Sequence, residues 1–517
     1  MNRPIGTLVG QDACCAPAAR AGRAAVEMGV RAANCLDGEW RPAGDGRTYG
    51  VENPADLRQI WHRYPLSGAP DVQRAIGGAV TAFAGWRRTS LGERVRILRQ
   101  AAQLLRERRT AIALVITREN GKLLAESLTE IDAAALELEF QIGEGERQFG
   151  RTGDCYRPGL MAFSRKEPLG VVSVIVPWNF PFNVPWRKIA PALMAGNTVV
   201  FKPARQTPAV GEAVVQLLLD AGIPPGVLQF VTGAGPELSE ALVGDPRIRA
   251  VTFTGSTAVG RQIARRAAER FTRTQLEMGG KNPMIVLRDA DLALAAEDAI
   301  TGAYSCAGQW CTATSRLIVD ARVATELVDR IREGVRKIRV GPGDDPTSTM
   351  GPVAGRQQLE TVLSHLARAR SQGARIIEGG ERCVDEGLEH GCFVAPTLID
   401  HVTENLDLAA TEIFGPVLAV FRVDGYGPAL RLANAVPYGL SSSIYTRDLD
   451  RAVHFVEHTA VGLTHVNAHT AYKEPQQCFG GVKESGFGLP EAGSTGIQFF
   501  QDEKSVYIKK GKVADAD

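Results

Sequence analysis

The sequence predicts an α/β protein: a doubly wound, Rossmann-like parallel sheet followed by a second α/β unit. Three observations carry this. Short β-branched or aromatic runs recur at 171–176, 197–203, 227–231 and 250–254. Helical stretches lie between them, notably at 210–219 and 237–243. The chain has 517 residues, too many for one core, so it should divide into two or three domains. Strands that are apolar throughout, rather than alternating, are buried on both faces, as a parallel sheet between helix layers requires.

The elements follow in order. Residues 1–35 read as a flexible N-terminal extension. The first 30 are rich in Ala, Gly and Arg and poor in acids, a composition resembling an organelle transit peptide. They lack the apolar core of a signal peptide. From Leu36-Asp37-Gly38-Glu39-Trp40 the chain becomes strand and turn, and Asn53-Pro54-Ala55-Asp56 is a turn signal. Residues 70–150 have helical spacing, with Asp71 placed to cap the first helix and 91–105 continuing the pattern. Residues 280–480 repeat the strand–helix alternation: strands at 282–287 and 316–319, helices at 293–307 and 323–338, and more after Arg375. The tail at 504–509 reads as a strand that could join another subunit's sheet.

Totals exclude several classes. With 59 basic against 58 acidic residues, no broad nucleic-acid surface is expected. Clusters such as Arg106-Glu107-Arg108-Arg109 read as solvated helix faces. No apolar run reaches the roughly 20 residues of a membrane span. The nine cysteines are odd in number and scattered, with no Cys-x-x-Cys and no zinc spacing. They fit reduced thiols of a cytoplasmic protein and no metal site. Cys306 and Cys311 are close enough in sequence for a regulatory disulfide, which we do not expect.

Three residues could carry covalent chemistry on a carbonyl. Cys311 lies in Gly308-Gln309-Trp310-Cys311-Thr312, a tight small-residue passage. A helix N-terminus there would lower its thiol pKa. Glu277, in Leu276-Glu277-Met278-Gly279-Gly280, is a candidate base for water. Asn179, in Pro177-Trp178-Asn179-Phe180-Pro181 after a strand, is a candidate oxyanion donor. Taken singly, each has a plainer reading: a small core thiol, a loop carboxylate, a turn amide. For a cofactor, Phe253-Thr254-Gly255-Ser256 leads from a strand into a helix whose N-terminal amides could meet a phosphate. Gly233 and Gly235 follow the preceding strand. Neither stretch is G-x-G-x-x-G, so spacing alone gives a weak dinucleotide signal.

Seven motifs together resemble the aldehyde dehydrogenase superfamily, from about residue 36 to about 510. They are Pro177-Trp178-Asn179-Phe180-Pro181, Lys202-Pro203-Ala204, Phe253-Thr254-Gly255-Ser256, Leu276-Glu277-Met278-Gly279-Gly280-Lys281, Gly308-Gln309-Trp310-Cys311, Glu412-Ile413-Phe414-Gly415-Pro416 and Phe479-Gly480-Gly481-Val482-Lys483-Glu484-Ser485-Gly486. Their order and spacing are the family's.

The resemblance implies the aldehyde dehydrogenase fold. A dinucleotide-binding domain would comprise 36–145 and 168–278, and a catalytic domain 279–489. An oligomerisation segment would comprise 146–167 and 490–512, giving a homodimer or homotetramer. It implies Cys311 as nucleophile, Asn179 and the Cys311 amide as oxyanion hole, and Glu277 as activator of the hydrolytic water. Lys202 would hold the adenosine ribose, Gly255 and Ser256 the pyrophosphate, and Glu412 and Phe414 the nicotinamide end. Pro177, Trp178, Ala204, Arg205, Gly235 and Phe253 complete the expected cofactor set. The activity implied is oxidation of an aldehyde to its acid with NAD(P)+.

One departure concerns the cofactor. Many NAD-preferring relatives carry a glutamate after Lys-Pro-Ala, where this chain has Arg205. A guanidinium can pair with a 2′-phosphate that a carboxylate would repel, so NADP is expected, with NAD as the alternative. For the substrate, Phe180, Arg187, Trp310, Thr312 and His469 are expected to line the pocket, with Asn183, Trp186 and 468–478 nearby. Arg187, with His469 and Lys473, points to a small anionic semialdehyde; Arg187 could equally be paired within the protein. Two rivals remain. A CoA-acylating enzyme would not need Glu277, and a silent homologue would not need all three catalytic residues.

Overall fold

The structure, a computed structural model, describes residues 29–385 and 387–511. Residues 1–28, 386 and 512–517, and with them Cys14 and Cys15, lie outside the described residues.

Two sheets organise the chain. The first has eight strands, and its centre is a run of five parallel ones: Leu228–Phe230, Thr198–Lys202, Val171–Ile175, Ile248–Thr254 and Arg273–Glu277. Val172 and Val174 enter a core with helices Leu91–Glu107, Leu124–Glu146, Asn183–Met194 and Pro208–Asp220. Val171 and Ile175 enter another with helices Ala69–Trp86, Gly235–Gly244 and Thr257–Ala268. Burial on both faces is why these strands read as unbroken apolar runs; each fully buried valine contributes about 1.5–3 kcal/mol.

Strand order reverses between Val171–Ile175 and Ile248–Thr254. In open α/β sheets, ligands bind beyond the carboxyl ends at such a switch point. Here those ends lead into Pro177-Trp178-Asn179 and Gly255-Ser256.

The second sheet has seven strands in the order Arg375–Glu378, Thr397–Asp400, Val417–Val423, Thr314–Asp320, Asn282–Val286, Ser441–Tyr445, Leu463–Val466. All are parallel except the first. Gly486–Phe487 leaves this unit and pairs with Leu276 and Glu277 at the edge of the first sheet. That crossing ties the glycine-rich segment after Phe479 to the strand that ends on Glu277.

Several expectations change. Residues 34 and 35 are not part of an extension: with Leu36, already read as strand, they form the buried strand Asn34–Leu36, turned by Asp37 and Gly38 onto Glu39–Arg41. Both turn residues have positive φ, 55° and 81°, as a two-residue hairpin turn requires. The Glu212 carboxylate, which accepts the Arg31 and Ala32 amides, holds the segment before it. Asp71 is the third residue of helix Ala69–Trp86, and it caps by accepting the Gly68 amide (3.1 Å). The helix expected at 293–307 stops at Tyr304, because Cys306, Ala307 and Gly308 have φ of 52°, 53° and 68°. The C-terminal strand Gln501–Lys509 pairs along its length with Leu160–Pro168 of its own chain and forms the edge of their sheet. Thr152–Gly153 completes this three-stranded sheet.

Candidate active site

The carboxyl edge of the first sheet meets the amino edge of the second, and the three expected catalytic residues come together there. Glu277 ends its strand, Asn179 follows Val171–Ile175, and Cys311 precedes Thr314–Asp320. Cys311 is therefore in a turn, closed by Ala313 N–H to Trp310 O (3.0 Å), and not at a helix N-terminus. The strand that starts at Thr314 leaves no room for a helix.

Two amides set the turn. Asn179 Nδ2 donates to Gln309 O (3.0 Å). Asn282 Nδ2 donates to Cys311 O (2.8 Å) and Ala313 O (2.9 Å), while its Oδ1 accepts the Ser441 amide. Gly280 lies so close that a Cβ there would stand 2.7 Å from Cys311 O. The Gly-Gly pair after Glu277 thus lets two backbones pass at contact. Asn282, the amide of the Asn-Pro pair after Lys281, is a positioning residue that the sequence reading passed over.

The electrostatics follow burial. Burial pushes the Cys311 thiol up to about 12; Arg187 opposes this, and Glu412, Glu277 and Glu491 reinforce it. Burial also raises the Glu277 carboxyl well above the usual carboxylate range, and Glu491 adds to it. Lys188, Arg187 and the Gly481 amide, which donates to Glu277 Oε2 at 3.2 Å, pull it down. A carboxyl that exchanges its proton nearer neutral pH suits a base for water. Lys188 is itself paired with Glu491 and donates to Thr252 Oγ1.

The expected pocket residues fall around Cys311. Phe180 and Trp310 are ring neighbours (6.2 Å), as are Trp310 and His469 (6.4 Å). Thr312 is buried, its carbonyl accepting from Thr470. Burial lowers the His469 pKa, so it supplies no cation at neutral pH. Cys311 packs against the cluster of Leu440, Phe479 and Ala492, and the Arg187 guanidinium lies over the Phe479 ring, 4.5 Å from its centroid. Arg187 is buried and paired within the protein. It meets Glu137 at 3.2 Å and Glu491 at 3.6 Å, and donates to Asn183 Oδ1 at 2.8 Å.

Beneath Phe180 sits a buried ion pair absent from the sequence reading. Lys122 meets Glu130 at 2.6 Å and stands 3.6 Å from the Phe180 ring centroid. Glu130 accepts the amides of Phe182 and Asn183, fixing the loop that carries Asn179. The available signal was spacing: Glu130 and Glu137, seven apart, fall on the apolar face with Ile131, Ala134 and Leu138.

The dinucleotide residues also fit their expected group. Ser256 caps helix Thr257–Ala268, and a Cβ at Gly255 would stand 2.5 Å from the Phe253 ring, so backbone alone lines the switch point. Lys202 is buried and donates to Pro203 O (2.9 Å), with further N–H groups to give; burial lowers it to about 8. Ala204 is buried beside it and Arg205 is exposed, its guanidinium 4.9 Å from the Tyr49 ring centroid. Gly235 starts its helix. Pro177 and Trp178 follow the neighbouring strand, with Trp178 edge-on to Phe414 at 5.4 Å. Glu412 Oε1 accepts the Gly280 amide (2.9 Å), and burial lifts its carboxyl to about 7. A bound nicotinamide would supply a hydride acceptor.

Among the described residues no group of His, Cys, Asp and Glu could hold a metal, the cysteines are unpaired, and no helix is long and apolar enough to cross a membrane.

Comparison with known proteins identifies the family. Residues 40–506 match the Aldehyde dehydrogenase family. The chain is 40% identical to alpha-ketoglutaric semialdehyde dehydrogenase of Bacillus subtilis (strain 168), over 92% of this chain and 98% of that one. It is also 40% identical to 2,5-dioxopentanoate dehydrogenase of Saccharolobus solfataricus, over 90% and 97%. The crystal structure of an Escherichia coli NADP-dependent enzyme superposes with a TM-score of 0.90 at 34% identity, covering 94% of this chain and 99% of that one. The chain belongs to the aldehyde dehydrogenase family and is an NAD(P)-dependent oxidoreductase that converts an aldehyde to its carboxylic acid.

Proposed function

We propose that this enzyme oxidises a small aldehyde bearing a carboxylate at its far end, a dicarboxylic or 2-oxo semialdehyde, and prefers NADP to NAD. The observation that carries the substrate class is the buried Arg187 guanidinium lying over the Phe479 ring, a ring of the same cluster that packs against Cys311. An aldehyde chain that runs from Cys311 past that ring brings its terminal carboxylate to the guanidinium, whose planar fork pairs well with a carboxylate. Both 40%-identical relatives are named for such a substrate.

Cys311 attacks the aldehyde carbon as thiolate, and the thiol proton leaves to solvent or a carboxylate. The oxyanion formed accepts from Asn179 Nδ2 and the Cys311 amide. Loss of hydride leaves a thioester on Cys311. Glu277 takes a proton from water as the water's oxygen attacks the thioester carbon, and the Cys311 sulfur departs with the acid released. Glu277, buried at the end of its strand, favours water over CoA as the acyl acceptor.

NADP preference rests on Arg205, exposed three residues after Lys202 where a carboxylate would repel a 2′-phosphate, and on the likeness to an NADP-dependent enzyme. The sheet of Gln501–Lys509, Leu160–Pro168 and Thr152–Gly153 presents exposed Tyr507, Ile508 and Met161 and is the surface we assign to a homodimer or homotetramer. The described cysteines, all unpaired, suit a cytoplasmic protein. The test of the substrate class is a panel of succinic semialdehyde, 2,5-dioxopentanoate, hexanal and benzaldehyde, with and without CoA. Higher kcat/KM for the anionic pair and no CoA stimulation support the reading; preference for neutral aldehydes, or turnover that depends on CoA, overturns it.

A further inference from the structure

Behind Arg187 the site continues into a group of charges that the proposed reaction does not use. Lys473 Nζ lies 2.7 Å from Glu137 Oε1 and 3.2 Å from Asn183 Oδ1. Glu137 also receives Arg187, so one buried carboxylate holds two cations. Glu491 likewise serves both Arg187 and Lys188. Arg187, Lys188 and Lys473 therefore share two carboxylates, Glu137 and Glu491.

Asn183 marks where an acceptor belongs. Its Oδ1 accepts from both Arg187 and Lys473, yet its Nδ2 is buried without a partner, in a residue only 1% exposed. A buried amide donor left unpaired is costly unless something accepts from it. An acceptor at Nδ2 lies within reach of the two cations that share Oδ1. Lys473 is the open member, its side chain 30% exposed against 5% for Glu137, and it sits in the segment that also carries His469. Arg187 lies over the Phe479 ring, whose cluster also packs against Cys311, and Lys473 shares Asn183 Oδ1 with Arg187.

We propose that Lys473 is a specificity-determining residue, the second cation of the substrate's distal carboxylate, with Asn183 Nδ2 donating between it and Arg187. This rests on the anionic-semialdehyde reading. Glu137 is the counter-ion that holds Lys473 in place. A carboxylate has two acceptor oxygens and one charge, so it can accept from the unpaired amide while facing both cations.

The test replaces Lys473 by Met and, separately, by Arg in the full-length enzyme. kcat/KM is measured for 2,5-dioxopentanoate, succinic semialdehyde and hexanal, with the thermal midpoint as a check on folding. Lys473→Met should lower kcat/KM for both anionic aldehydes about 10- to 100-fold, mainly through KM, and leave hexanal within about threefold. Lys473→Arg should restore most of the loss. Equal losses on all three substrates would make Lys473 merely structural, and no loss on any would remove it from recognition; either overturns the proposal. If wild-type enzyme favours hexanal, the substrate reading fails and this inference with it. If the wild type favours the anions and Lys473→Met still does, only this inference fails.

Discussion

The two ends of the substrate site are built by different means. At the sulfur end, backbone does the placing. Gly280 lets two chains touch, Gln309 and Cys311 offer carbonyls to Asn179 and Asn282, and Gly481 gives its amide to Glu277. At the far end, side chains do it: Arg187, Asn183 and Lys473 are held by Glu137 and Glu491. A reacting carbonyl changes shape and charge during turnover, and fixed dipoles stabilise the developing oxyanion without reorganising. A terminal carboxylate does not change, and a fixed set of buried charges can recognise it. Removing one member of such a set leaves another uncompensated, so this end is the more costly to alter.

The comparison can be broken at either end. The largest effect is expected from Glu277→Gln. General-base loss typically costs on the order of 100- to 10,000-fold, so steady-state turnover should fall in that range. The first-turnover burst of NAD(P)H should survive, since acylation does not use this carboxylate. In the wild type, the raised Glu277 carboxyl is protonated at low pH and cannot take a proton from water. Turnover should therefore rise with pH along a limb above the usual carboxylate range. Loss of the burst in Glu277→Gln would assign this residue to acylation instead. Next is Asn179→Ala, where removal of an oxyanion donor should lower kcat about 100- to 1,000-fold for anionic and neutral aldehydes alike. A loss confined to anionic aldehydes would show that the two ends are not separate. The smallest effect concerns the cofactor. Arg205→Glu should shift the NADP-to-NAD ratio of kcat/KM by about tenfold or more toward NAD, the effect of one charge-assisted contact. An unchanged ratio would remove Arg205 from cofactor choice.

The same division explains what the sequence revealed. The parallel sheets were legible because strands such as Thr198–Lys202 and Asn282–Val286 are buried on both faces and so read as continuous apolar runs. Cys311, Glu277 and Asn179 were legible because each lies in a short stretch whose glycines, prolines and aromatics mark a constrained turn. The helix N-terminus expected at Cys311 was not there, since the strand beginning at Thr314 fixes the turn. The far end was largely hidden. Arg187 and Lys473 could be suspected of carrying charge to the substrate, but Glu137 and Glu491 stand 336 and 303 residues from the lysines they pair with, Lys473 and Lys188. Local pattern cannot show such partners. Glu137 offered one hint, a carboxylate on the apolar face of helix Leu124–Glu146. Residues 34 and 35 were misjudged because a three-residue strand has too little sequence to announce itself beside an Ala-, Gly- and Arg-rich stretch.

The most direct measurement is the wild-type ratio of kcat/KM for 2,5-dioxopentanoate to that for hexanal, at neutral pH with saturating NADP. One charge-assisted recognition of the distal carboxylate predicts a ratio of at least about 10 to 100. A ratio at or below unity would contradict the account, leaving Arg187 as a purely internal ion pair beside a pocket for neutral aldehydes.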